Sequence, residues 1–304
     1  MAAPAGSRKD DNDNRIYQWG DEAFFSVTTM LKAMPKHVLV PWAAKAVAEF
    51  TLDNLGRVVT EVLAGNREAI CKEMKGAPNR IRDDAGDLGT AVHEAVEAYV
   101  VRDEFPQVSK DETIAQSIGH FQNFLRDFRP HYTHIEATVY NRKRKYAGTL
   151  DAIVKLELTQ SLTDQLASYG WAHLINPDLE SFMLDVKTGK GVYPEVGLQC
   201  SAYRYGEFIG LDGEEQPIPD TQPIALVLHL RPNGYKLIPA RADEEVFKHF
   251  LYATQNFRWQ NDVAKTILGK PLSPSLVGQL EASLELLAAA KEAGVSPQSL
   301  LELV

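Results

Sequence analysis

Hydrophobic and polar positions recur with two distinct periods along the chain. Over 87–102, Leu88, Val92, Val96 and Tyr99 return at helical spacing, and over 114–128 Ile118, Phe121, Leu125 and Phe128 share one helix face. Helices are also expected over 39–52 and 56–75, so the first half reads as mostly helical. Ahead of them RIYQWGDEAFFSV (15–27) predicts two short strands about a Gly-Asp turn, with Ser26 or Thr28 capping a first helix. From Tyr132 the pattern shifts towards strands. THIEATVY and YAGTLDAIVKLEL are strand-like runs joined by NRKRK, SFMLDVKTG is a third, and PIALVLHLR and GYKLIPAR flank a Pro-Asn-Gly turn that predicts a hairpin. PEVGLQCSAYRYGEFIG (194–210) reads as a helix, as do 242–261, 276–293 and the short 297–303. Residues 1–14 are polar and read as a disordered leader.

This order predicts an α/β protein with a mixed central β-sheet flanked by helices. A helical N-terminal part (26–128) and an α/β core (132–262) form one domain over 15–262, and 263–304 forms a short helical C-terminal extension whose Leu276, Leu280, Leu284 and Leu287 make a stripe suited to packing, self-association or a partner protein.

Composition narrows the classes. The chain has 304 residues and a net charge of -9, which argues against coating nucleic acid through bulk charge. The acid is concentrated in segments such as 103–112, 159–180 and 207–220, so a locally basic groove remains compatible with it. No apolar run approaches a membrane span and no signal core is visible, so no membrane association is expected. Cys71 and Cys200 stand far apart, too few to hold an iron-sulfur cluster alone, and a reducing cytoplasm is the expected compartment.

The chemistry is carried by acidic residues and a lysine at strand ends. Asp185 and Lys187, two apart in an extended run, project from the same face, and Asp151 sits beside Asp185 if their strands pair. Converging carboxylates suit Mg2+ or Mn2+, and a neighbouring lysine could orient water or stabilise charge on a phosphate. A solvated strand end is the plain alternative. His93 and Glu97 share a helix face, as do Gln199 and Tyr203. His93 is either a packing histidine or a ligand; Glu97 is a salt-bridge partner or supports a ligand; Glu136 is a further candidate for metal contact. Gln199 and Tyr203 read either as core and capping residues or as site residues. Gly148 and Thr149 mark a bulge or a close backbone approach to a ligand. The turn Arg142, Lys143, Arg144, Lys145 is either a solubilising tip or a phosphate contact.

GTAVHEAVE (89–97), AGTLD (147–151), LDVKTG (184–189) and LQCSAY (198–203) occur in an order that resembles the PD-(D/E)XK nuclease superfamily, in its RecB-like exonuclease branch. SVTTMLKAMPK (26–36) is similar to the opening of phage-encoded members. The resemblance spans about 15–262 and implies a restriction-endonuclease-like core. It implies His93, Asp151, Asp185 and the Val186 carbonyl as metal ligands for Mg2+ or Mn2+, and Lys187 as catalytic lysine. Gln199 and Tyr203 would then touch DNA or hold the lysine, with Thr188 beside the lysine as a further DNA contact. The cluster-bearing members are excluded as close equivalents, because the four cysteines are missing. The implied activity is a metal-dependent DNA exonuclease acting on linear DNA in phage or bacterial recombination, repair or degradation and leaving 5′-phosphates, with a recombination or annealing protein as a possible partner. A structure-specific endonuclease and a catalytically idle DNA-binding protein of the same fold are the alternatives.

Overall fold

The computed structural model describes residues 7–10, 14–102, 112–272 and 275–294. The expected helix 297–303, most of the leader, most of the acidic segment 103–112, and the side chains of Leu88 and Leu276 lie outside the described residues. The chain divides between Arg258 and Trp259 into two compact units.

The first unit opens with β1 (Ser7–Lys9), β2 (Arg15–Trp19) and β3 (Glu22–Ser26), then α1 (Val27–Met30). Ser7–Lys9 pairs antiparallel with β2, so part of the expected leader is strand. Ser26 caps α1, its hydroxyl accepting the Thr29 N–H at 2.9 Å. Then come α2 (Leu39–Asp53), α3 (Leu55–Leu63), α4 (Arg67–Arg102) and α5 (Glu112–Phe128). The helix expected over 56–75 is therefore broken around Gly65, which adopts φ +86°, and its second part continues into the helix of His93. Pro78 does not end α4. Packing on α2 outweighs its penalty: Ala46 and Ala77 are buried and the Arg80 guanidinium lies 5.0 Å over the Phe50 ring.

The α/β core follows with β4 (His131–Asn141), β5 (Tyr146–Lys155), α6 (Gln160–Leu166), β6 (Ser181–Lys187), α7 (Glu195–Arg204), β7 (Phe208–Leu211), β8 (Glu214–Gln216), β9 (Ile224–Arg231), β10 (Gly234–Arg241) and α8 (Glu244–Asn261). The helix expected over 194–210 stops at Arg204. A side chain at Gly206 would drive its Cβ to 2.1 Å from Val139, so the chain turns tightly against β4 there and enters β7. The β7–β8 hairpin turns on Asp212 and Gly213, both with positive φ.

These strands form one mixed sheet that forks at β5. β4 runs along one edge of β5. The other edge is shared: β3 pairs parallel with its start, through Ser26↔Ala147, and β6 pairs antiparallel with its end, from Ala152↔Leu184 onwards. Residues 148–151 lie between the two partners. β6 continues the sheet through parallel β9, which pairs with β10. One apolar cluster joins the sheet to α1, α7 and α8 through Val27, Leu150, Tyr203 and Phe250; another joins it to α4 and α5 through Val92, Phe121, Leu184 and Leu228. Each such large side chain, fully buried, contributes about 1.5–3 kcal/mol. The fold is thus a mixed central sheet with flanking helices, and the fork is where the candidate site lies.

The second unit contains α9 (Leu276–Glu292), capped by Ser275, whose hydroxyl accepts the Gly278 N–H at 3.0 Å. Leu280, Leu284 and Leu287 are exposed. Among the described residues no helix is long and apolar enough to cross a membrane.

Candidate metal centre

α4 buries Val92 and Val96 against the sheet, and this seating turns His93 towards the fork. His93 on α4, Glu136 on β4 and Asp151 on β5 converge, with their ligand atoms all within 4.8 Å of one another. Ligand atoms around one small divalent ion stand about 3 to 4 Å apart, so the three fit such an ion with slight closure.

Hydrogen bonds orient the group. The Nε2 of His93 lies 2.9 Å from the Val186 carbonyl, which can only accept, so Nε2 carries the proton. In the neutral imidazole, the form that can ligate an ion, Nδ1 then holds the lone pair and faces Asp151 Oδ2 at 3.8 Å. The Val186 N–H donates to that same Oδ2 at 2.6 Å. Val186, expected as a ligand through its carbonyl, therefore fixes both His93 and Asp151, and only a second lone pair of its carbonyl is left for an ion.

Glu136 reaches the group through an unusual backbone. Its φ is +47°, in the left-handed region, although the flanking register Ile135↔Ala152 and Ala137↔Leu150 is regular. Such a conformation costs on the order of 1–3 kcal/mol and has to be held by its surroundings. Its side chain is exposed, yet partial desolvation by the cleft walls and the charges of Asp151 and Glu97 push its pKa up to about 7. Glu97, one turn along α4 from His93, lines the same cleft but stands outside the triad.

Asp185 and Lys187 form a second, adjoining group. Both Asp185 oxygens face the Lys187 ammonium, at 2.7 and 2.6 Å, and Gln199 Nε2 donates to Oδ1 at 3.1 Å. Asp185 is buried, and burial raises its pKa against the opposing effect of Lys187. For Lys187 burial alone lowers the pKa, but Asp185 and Asp151 outweigh it and the net direction is upward. Asp185, expected as a ligand, faces Lys187 and adjoins the three converging side chains.

α7 supplies the support. Tyr146 on β5 donates to the carbonyl of Ala202 at 2.8 Å near the end of α7, which fixes the helix so that Gln199 and Tyr203 face the fork. Gln199 also donates to the Tyr203 hydroxyl at 3.2 Å. Gly148 is in regular register, not a bulge; its close approach is to Tyr203, whose Cε1 would stand 2.7 Å from an added Cβ.

These residues line a cleft of about 1160 Å³ that runs from Lys187 and Thr188 past the triad to Tyr140, Trp19 and Gly210. The loop after β6 is tied by two residues that no sequence pattern singles out: His229 Nε2 at 2.8 Å from the Gly189 carbonyl and Arg231 donating to the Thr188 carbonyl at 2.7 Å. They qualify only because β9 pairs with β6, setting His229 opposite Lys187. In the basic turn, Arg142 pairs with Glu22 and Glu215 and lies 4.5 Å over Phe208, and Lys145 pairs with Glu22. These partners hold the Glu22 and Glu215 carboxyls below their usual range. Among the described residues, the Lys143 and Arg144 side chains form no ion pair.

No protein-family model matches the sequence, and no curated protein matches it.

Proposed function

We propose that the chain is a divalent-metal-dependent deoxyribonuclease of the PD-(D/E)XK superfamily, RecB-like branch, acting as an exonuclease on linear DNA in a bacterial or phage-infected cytoplasm. The observation that supports it is the convergence of His93, Glu136 and Asp151 beside the Asp185–Lys187 pair, in one cleft. Carboxylate oxygens suit Mg2+ and Mn2+, and the imidazole favours Mn2+ between them. A bound ion supplies Lewis-acid charge to the phosphodiester and lowers the pKa of water beside it.

The chain's own groups do the rest. Val186 holds His93 and Asp151 in place through its peptide group. Asp185 and Gln199 set the Lys187 ammonium, whose remaining protons are available to a phosphate oxygen or to an attacking water. Lys143 and Arg144 are the members of the basic turn left for phosphate contact.

The test is incubation of purified protein with linear and covalently closed circular DNA, single- and double-stranded, with Mg2+, Mn2+ or chelator, and with Asp185→Ala as control. Metal-dependent loss of linear DNA alone is the expected result. Cutting of circles means an endonuclease, and binding without metal-dependent loss in any condition overturns the enzymatic reading.

A further inference from the structure

We propose that the half-buried indole of Trp19 is a stacking platform for a nucleobase of a single DNA strand lying in the cleft; this rests on the nuclease reading above. Trp19 lines the same cleft as His93, Glu136 and Asp151. Its ring is fixed from several sides. Nε1–H donates to Glu215 at 3.2 Å, and the ring centroids of Tyr140 and Phe208 lie 5.3 and 5.6 Å away. The indole covers Gly210, where an added Cβ would come within 2.4 Å of it. A ring held in this way loses little freedom when a flat ligand stacks on it.

The floor between this ring and the triad is continuous. Tyr140 and Glu136 are four residues apart on β4, about 13 Å along the strand. Between them the half-buried hydroxyls of Thr138 and Thr149 stand 3.2 Å apart, able to meet a sugar-phosphate backbone, and the buried Tyr17 hydroxyl braces Thr149 at 3.1 Å. Charge decides the nature of the contact at the far end. Arg142, the cation near Trp19, is engaged by Glu22 and Glu215, and Asp212 adds negative charge to the cleft wall. Arg15, four residues before Trp19 on β2, also lines the cleft, and the π-face of Trp19 adds a contact that every nucleobase can meet whatever the charge.

The test uses the full chain with Ca2+ in place of Mn2+, and compares by fluorescence anisotropy a single-stranded oligothymidylate with an abasic strand of equal length. The wild type should prefer the base-bearing strand roughly 5- to 140-fold, the usual range for aromatic stacking. Trp19→Ala should abolish that preference, and Trp19→Phe, which keeps the packing role of the ring, should retain most of it. A preference that survives Trp19→Ala, or a wild type that binds both strands equally, overturns the platform and leaves the nuclease reading standing. A wild type that binds neither strand, and hydrolyses neither with Mn2+, overturns the nuclease reading and the platform together.

Discussion

Replacing Lys187 with methionine keeps an unbranched side chain, one atom shorter, and deletes its charge. Asp185 is 3% exposed, and apart from Lys187 its hydrogen-bond donor among the described residues is Gln199 Nε2 at 3.1 Å. Removing one partner of a buried ion pair costs roughly 3–5 kcal/mol. The Lys187 side chain is 35% exposed along the cleft, so water reaching the orphaned carboxylate offsets part of this, and the lower end, about 3 kcal/mol near pH 8, is expected. Burial raises the Asp185 pKa while Lys187 lowers it, so losing Lys187 raises it further. An unfolded aspartate ionises near about 4. Between that value and the raised folded pKa, the folded chain holds a proton that the unfolded chain lacks, so stability falls as pH rises. Lys187→Met should therefore lose most stability at about pH 8 and recover towards wild type at about pH 5. The double variant Asp185→Asn, Lys187→Met removes the stranded charge and should be more stable than Lys187→Met alone at the higher pH. Urea denaturation followed by circular dichroism at both pH values measures this. Equal losses at the two pH values, or a double variant no better than the single one, refute the reasoning.

Further outcomes follow from the rest of the cleft and from the basic turn. Gly148→Ala sets a Cβ 2.7 Å from Tyr203 and should cost about 1–3 kcal/mol in urea denaturation, with loss of hydrolysis as Tyr203 and Gln199 shift. Lys143→Gln with Arg144→Gln should flatten the salt dependence of single-strand binding by about 0.7 in log-log slope for each phosphate no longer neutralised. Arg142→Gln should leave that slope unchanged, since its guanidinium is held by Glu22 and Glu215. Because the Glu136 pKa is raised to about 7, Mn2+ must displace a proton below that pH, and affinity measured by calorimetry should weaken as the solution is acidified. Glu136→Gln should bind the ion more weakly and remove that part of the pH dependence.

Much of the fold was legible because its elements carry their own signals. Ser26 capped α1, the Pro-Asn-Gly turn joined β9 to β10, and NRKRK joined β4 to β5, as their local chemistry dictates. Asp185 and Lys187 met because alternation in a strand fixes their common face. What escaped depended on tertiary packing. Gly206 breaks the expected helix through its close approach to Val139, contributed by a strand more than sixty residues earlier. The Asp212-Gly213 turn lies in the acidic segment 207–220, and most of the first strand of its hairpin, β7, fell within the helix expected over 194–210. Helix α4 passes through Pro78 because α2 packs on it. At the site, the sequence supplied the residues but not their grouping. Asp185 and Asp151 looked equivalent as strand-end acids, and the fork at β5 sets one against the lysine and the other beside His93 and Glu136. The left-handed turn of Glu136 has no signature in THIEATVY.

The most direct test is titration of Mn2+ into the protein, with free ion read from its electron paramagnetic resonance signal. Wild-type protein should withdraw at least one ion per chain, and His93→Ala and Asp151→Asn should each lose that binding while a substitution at exposed Glu281 on α9 keeps it. A wild type that withdraws no Mn2+, or triad variants that bind it as the wild type does, would contradict a metal centre at the fork and the nuclease built on it.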